Sequence, residues 1–202
     1  MTTMTTRRGA AFLGLAGLAI ALTRPRLAEA ADLGELVLGD PNAPVTMIEY
    51  ASLSCDHCGA FHRETLPALK ARYIDTGKVK LVFRDFPLER NALRAAMIAR
   101  CAGPERRHRF VDVFFTQQER WSHAKDPLSA IKQLARLGGL DEPAVEACLS
   151  DKALEDAILG ARLEAEQKHR VRSTPTFVIN DKVYAGNRSV DEFAAIIDPL
   201  LG

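Results

Sequence analysis

The feature that most limits what this chain can become is a pair of thiols three residues apart, Cys55 and Cys58, placed where an apolar strand hands over to a helix. Val45 to Ala51 reads Val-Thr-Met-Ile-Glu-Tyr-Ala, rich in β-formers and mostly apolar, as suits a strand in a sheet covered on both faces. From Asp56 to Thr76 the pattern turns helical. Cys58, Phe61, Leu66, Leu69 and Tyr73 recur at three- to four-residue steps, Pro67 is expected to kink the helix and Gly77 to stop it. Val79 to Phe86 is a second strand-like run. The opening is therefore a βαβ unit whose helix begins at the Cys-x-x-Cys.

From about Asn91 to His169 the pattern is helical throughout, with breaks near Gly103, Gln118 and Gly138-Gly139 and prolines at 104, 127 and 143 near the starts of new segments. Thr176 to Asn180 and Lys182 to Ala185 then read as two strands joined at Asn180-Asp181, and a final helix runs from about Val190 to Leu201. The order βαβ, helical block, ββα describes an α/β chain with a thioredoxin fold and an inserted α-helical domain. Residues 31–90 and 170–202 make the frame and 91–169 the insertion. So many helices exceed what one small sheet needs as cover, so they are expected to form a lobe of their own.

The first 30 residues differ from the rest. Arg7-Arg8, the uncharged run Ala10 to Leu22 and Ala28-Glu29-Ala30 are the three parts of an export signal in the right order, with cleavage expected after Ala30. The run is too short to cross a hydrocarbon layer of roughly 30 Å as a permanent helix. Thr6 to Leu13 also resembles a twin-arginine signal, although Phe12-Leu13 stands further from the arginines than is usual; unfolded export is the other route. No cysteine marks a lipidation site. The expected product is a soluble periplasmic protein, in a compartment where disulfides persist. A formal net charge of +1 gives no reason to expect nucleic acid as a partner.

Thiol exchange needs an attacking thiolate and a second thiol near enough to resolve the mixed disulfide. At the first turn of a helix, Cys55 meets unpaired backbone N–H groups and the positive end of the helix dipole, so its pKa is expected to fall. His57, between the cysteines, is expected to add to that effect. Asp56 acts against it, unless its carboxylate mainly serves the helix terminus. The alternative use of the pair is half of a zinc site, with His62 as a further ligand. No metal is expected, because Cys101 and Cys148 lie far along the chain with no His or Cys at ligand spacing beside them. Glu49, six residues before Cys55, is either a desolvated carboxylate of raised pKa that relays protons or an outward-facing solvated one.

At Arg172-Ser173-Thr174-Pro175-Thr176 a proline opens a strand of β-formers. Together with Cys55-Asp56-His57-Cys58 and the turn Arg84-Asp85-Phe86-Pro87, this order of elements resembles the DsbA-like branch of the thioredoxin superfamily over nearly all of residues 37–202. The resemblance implies that Pro175 is cis and faces the redox pair, and that Thr174 offers its backbone to an extended substrate peptide. It supports an acid at the position of Glu49. It implies an enzyme without a cofactor that introduces disulfides into reduced or unfolded exported proteins, is reoxidised by a membrane quinone-linked partner, and works as a monomer. Isomerases of this type usually carry a separate dimerisation domain, and no room for one is seen between Ala31 and the first strand. Asp56 stands where a proline is usual, which leaves the oxidising strength open.

Cys101 and Cys148 fall on apolar helix faces, where free thiols would look the same. In an oxidising compartment, with Cys55 and Cys58 paired locally, these two remain. Some DsbA-like proteins carry a second disulfide in the helical lobe, and a structural Cys101–Cys148 bridge is the expectation. Arg106-Arg107-His108-Arg109, the densest positive cluster after the signal, is expected to be a solvated helix face.

Overall fold

The computed structural model describes residues 1–2 and 33–202; the expected signal's arginine pair, apolar run and cleavage site lie outside them. Five strands form one sheet: β1 (Leu36–Leu38), β2 (Val45–Ala51), β3 (Val79–Asp85), β4 (Thr176–Ile179) and β5 (Lys182–Ala185), in the order β1-β3-β2-β4-β5. β2 and β3 are parallel and the other pairs antiparallel, with Glu49 opposite Phe83 on one side and Phe177 on the other. β2 is thus central and covered on both faces, which accounts for its nearly continuous apolar run.

Side chains alternate across a strand, and the two faces of β2 enter different clusters. Val45 and Met47 pack with Phe61, Leu69, Phe177 and Phe193, while Tyr50 packs with Phe86, Ala165 and Val171. Glu49 shares the parity of Met47 and so points to the face covered by the helix that starts at Cys55. β1 was not anticipated. It is three residues long, too short for alternation to register, and exists by pairing Leu36 with Phe83 and Leu38 with Leu81.

The helix after Cys55 runs from 56 to 74 in four pieces: α1 (Asp56–Ala60), a π turn (Phe61–Thr65), α2 (Leu66–Leu69) and a second π turn (Lys70–Ile74). The N–H of Leu66 bonds to Phe61 O, five residues back. Pro67, which has no N–H to give, follows this widened turn, so the helix passes the proline without breaking. Gly77, at φ +73°, ends it as the sequence suggested.

Six helices follow: α3 (Arg90–Cys101), α4 (Pro104–Thr116), α5 (Gln118–Ser122), α6 (Pro127–Leu137), α7 (Glu142–Ser150) and α8 (Lys152–Lys168). Asp126, Asp141 and Asp151 each accept an N–H from the first turn of α6, α7 and α8, which sets three of the boundaries. Their core, built on Phe114, Phe115, Trp121 and Ile131, is continuous with Ala51, Leu53, Cys58 and Phe83 at the end of the sheet. The redox turn is therefore one wall of the helical core. A buried ion pair, Arg100 Nε to Asp85 Oδ2 at 2.5 Å, ties α3 to β3. The last helix, α9 (Val190–Ile197), is closed by a capping box between Ser189 and Glu192. Among the described residues no helix is long and apolar enough to cross a membrane.

Candidate active site

Cys55 caps α1 from an extended conformation (φ −82°, ψ 118°). Its N–H bonds to Ser52 O at 3.0 Å and its carbonyl accepts the Gly59 N–H at 2.9 Å, so the turn is locked on both sides. That geometry aims the main-chain N–H groups of His57 and Cys58 at Cys55 Sγ. Both thiols are unbonded; Cys58 is fully buried and Cys55 only partly.

The two cysteines are driven in opposite directions. The Cys55 pKa falls from 9.0 to about 6, mainly because Cys58 donates a hydrogen bond to its sulfur; Thr174 and the two N–H groups add to this, against the effect of burial. Cys58 is pushed far up, by burial first, then by its bond to Cys55 and by the Glu49 charge. Cys55 is the thiolate and Cys58 the proton-bearing partner.

The Thr174–Pro175 bond is cis and brings Thr174 O to 3.3 Å from Cys55 Sγ. As a thiol Cys55 donates to that carbonyl. Thr174 Oγ1 is buried with no hydrogen-bond partner among the described residues, and the Thr174 side chain helps to hold the Cys55 pKa down.

Glu49 is fully buried, not solvated. Both its oxygens lie within hydrogen-bond distance of His62 Nε2, at 3.1 and 3.0 Å. His62 sits in the first π turn, four residues beyond Cys58 and hence on the same helix face, with its ring stacked on Phe115 at 4.0 Å. His62, by sequence only a possible zinc ligand, is in the structure the partner of Glu49. Among the described residues no group of three His, Cys, Asp or Glu side chains could hold a metal ion.

His57 and Asp56 are both exposed. What reaches Cys55 from His57 is its main-chain N–H and not its ring, and Asp56 lies 4.0 Å from His123 Nε2 on the outer surface. Gln118 was read only as a helix break. It is buried at the start of α5, and its amide donates to Leu53 O at 2.8 Å and Cys55 O at 2.9 Å, fastening the redox turn to the helical lobe. Nothing local in the sequence marks it, because its partners lie more than sixty residues away. Cys101 and Cys148 are joined as a disulfide that links α3 to α7, with Cα atoms 5.9 Å apart.

Comparison with known proteins agrees with this geometry. The model of a family described as Thioredoxin matches residues 31–199. The crystal structure of α-DsbA1 from Wolbachia pipientis superposes with a TM-score of 0.78 at 35% identity, covering 84% of this chain and 92% of that one. "Disulfide bond formation protein D" of Bacillus subtilis is 25% identical over 169 residues, 82% of this chain and 76% of its own. A Rickettsia typhi protein named "Putative protein-disulfide oxidoreductase" is 33% identical over 172 residues, 84% of this chain; the chain spans 63% of that relative's length. A strand-to-helix Cys-x-x-Cys opposite a cis-proline defines a thioredoxin-fold protein with a dithiol site. The chain belongs to the thioredoxin family and, within it, to the DsbA-like proteins.

Proposed function

We propose that this protein is an exported thiol:disulfide oxidoreductase that introduces disulfides into reduced or unfolded exported proteins. The observation that carries the reading is the asymmetry of the pair: a partly exposed Cys55 with a pKa of about 6 above a buried Cys58 held as a thiol. A thiolate stabilised in the dithiol form makes the Cys55–Cys58 disulfide easier to give away. With 9.0 as the unperturbed value, the shift favours the dithiol at pH 7 by at most about 1.4 kcal/mol, about 30 mV for a two-electron couple.

In the reaction, a substrate thiolate attacks Cys55 Sγ of the enzyme disulfide. The Sγ–Sγ bond breaks, a substrate–Cys55 disulfide forms, and Cys58 leaves with the electron pair and takes up a proton. A second substrate thiolate attacks the substrate sulfur of that mixed disulfide and releases Cys55 as a thiolate. The substrate loses two electrons and the Cys-x-x-Cys gains them. The Glu49–His62 pair behind Cys58 is suited to deliver its proton. Thr174 and Pro175 present a main-chain edge to the substrate segment beside Cys55. Cys101–Cys148 is structural, residues 91–169 are the inserted domain on the 31–90 and 170–202 frame, and His57 acts on the site through its main-chain N–H to Cys55.

The enzyme works as a periplasmic monomer without a cofactor and is reoxidised by a quinone-linked membrane protein. The test is oxidation of a reduced protein with several cysteines by the disulfide form of the enzyme, beside Cys55→Ser. Stoichiometric oxidation by the wild type and none by Cys55→Ser supports the reading; equal rates for both sink it. A strongly reducing potential for Cys55–Cys58 would make the protein a reductase instead.

A further inference from the structure

We infer that the helical lobe carries a second binding site, separate from the redox pair: a groove that takes a free amphiphile with an anionic head group and an apolar body. Between α4, α5 and α6 lies a cavity of about 650 Å³, within the size range of small-ligand sites. One stripe of α4 faces it, Arg106, Arg109, Phe110, Val113 and Gln117, at the spacing that puts residues on one side of a helix. Phe110, Trp121 and Leu134 line its apolar part. Leu137 is 78% exposed at the mouth, where nothing in the described chain covers it.

The charge in the groove has one sign. Arg106, Arg109 and Arg120 line it and no Asp or Glu does. Arg106 is held by two carbonyls, Ala102 O at 3.0 Å and Gly139 O at 3.4 Å, which fix its guanidinium without neutralising it. Arg109 and Arg120 are exposed, and their side chains make no hydrogen bond or ion pair among the described residues. The cluster expected from the sequence to be a solvated helix face is divided: Arg107 turns to Gly34 O at 3.1 Å, while Arg106 and Arg109 join the groove.

An apolar trough rimmed by unpaired guanidiniums complements a carboxylate or phosphate on a hydrocarbon body. The apolar walls are recessed between three helices, which suits a ligand entering the protein better than the protein lying on a lipid surface. The end of the trough is closed tightly: a Cβ placed on Gly138 would come within 2.3 Å of Phe110 Cζ, so the ring and the bare backbone set the depth together.

Trp121 is the only tryptophan of the chain and lines the groove, so its fluorescence reports occupancy. Full-length protein is titrated with dodecanoate and, separately, with dodecyltrimethylammonium, both below their micelle concentrations. The expected result is a saturable Trp121 response to dodecanoate at least tenfold tighter than to the cationic chain. Arg109→Glu with Arg120→Glu is expected to weaken dodecanoate at least tenfold while thiol exchange keeps its wild-type rate. Absence of a saturable response, equal affinity for both head-group charges, or insensitivity to the double reversal overturns the site. So does a response only to anionic vesicles or only to an acidic peptide. None of these outcomes bears on the redox reading, which concerns other residues.

Discussion

Replacing Gly59 by alanine tests how tightly the redox turn is clamped to the lobe. A Cβ at Gly59 would lie 2.2 Å from Gln118 Oε1, 2.6 Å from Arg63 Nη1 and 3.0 Å from Gln118 Cδ, all well inside contact distance. Arg63 can give way, although its Nη1 holds Phe115 O at 3.0 Å. Gln118 has less room. It is 2% exposed, and swinging its amide away abandons the bonds to Leu53 O and Cys55 O. Cys55 O keeps its bond from the Gly59 N–H, whereas Leu53 O loses its donor among the described residues. A buried group left without its partner costs about 1–3 kcal/mol, and the overpacking about 1–3 more. The better helix propensity of alanine returns about 1 kcal/mol. The expected net is about 1–5 kcal/mol of lost stability, read by urea denaturation of the reduced protein. In a Gln118→Ala background the clash with Gln118 is gone and only the yielding Arg63 contact is left, so Gly59→Ala is expected to cost at least about 1 kcal/mol less there. A Gly59→Ala protein as stable as wild type, or strictly additive effects in the double-mutant cycle, would refute the clamp.

Two further substitutions probe the buried polar groups around the site. His62→Phe keeps a ring against Phe115 but strips Glu49 of its partner, leaving a buried carboxylate; a loss of about 3–5 kcal/mol is expected, mostly recovered by adding Glu49→Gln, both read by denaturation. Cys101→Ala with Cys148→Ala opens a loop of 47 residues and is expected to cost about 4 kcal/mol in urea while the rate of thiol exchange is unchanged, since the bridge does not touch the redox pair. A rate that falls in step with stability would give the bridge a functional role.

The redox centre and its frame were legible because their signals are local. A β-former run followed by Cys-x-x-Cys, a Thr-Pro opening a strand, and helices bounded by Gly and Pro each reveal themselves within a few residues; the Asp caps of α6, α7 and α8 emerged only from the structure. What stayed hidden depends on distance. β1 is held by pairing with β3, about 45 residues on, and not by any pattern in Leu36–Leu38. The Gln118 amide meets Leu53 and Cys55 only once α5 has packed on the redox turn. His62 lay within reach of inference, being one turn past Cys58, but its partner is on a strand, and no helical periodicity points there. The Glu49 alternatives turned on burial, and burial is set by the sheet order. The first π turn ends where Pro67 withholds its N–H, a pairing that propensity alone does not foretell.

The central claim is that Cys55 is the thiolate of the pair. Its folded pKa, about 6, lies below the unperturbed 9.0, so the stabilisation it gives the dithiol protein is complete above pH 9 and is lost as pH falls toward 6. At 1.36 kcal/mol per unit the ceiling is about 4 kcal/mol, reduced by solvent screening because Cys55 is partly exposed. The direct measurement is the rate of iodoacetamide alkylation of the reduced protein between pH 4 and pH 10, with the adduct located by mass spectrometry. A single midpoint near 6, all label on Cys55, and Cys58 unlabelled throughout are expected. A midpoint near 9, or label shared equally by Cys55 and Cys58, would contradict it.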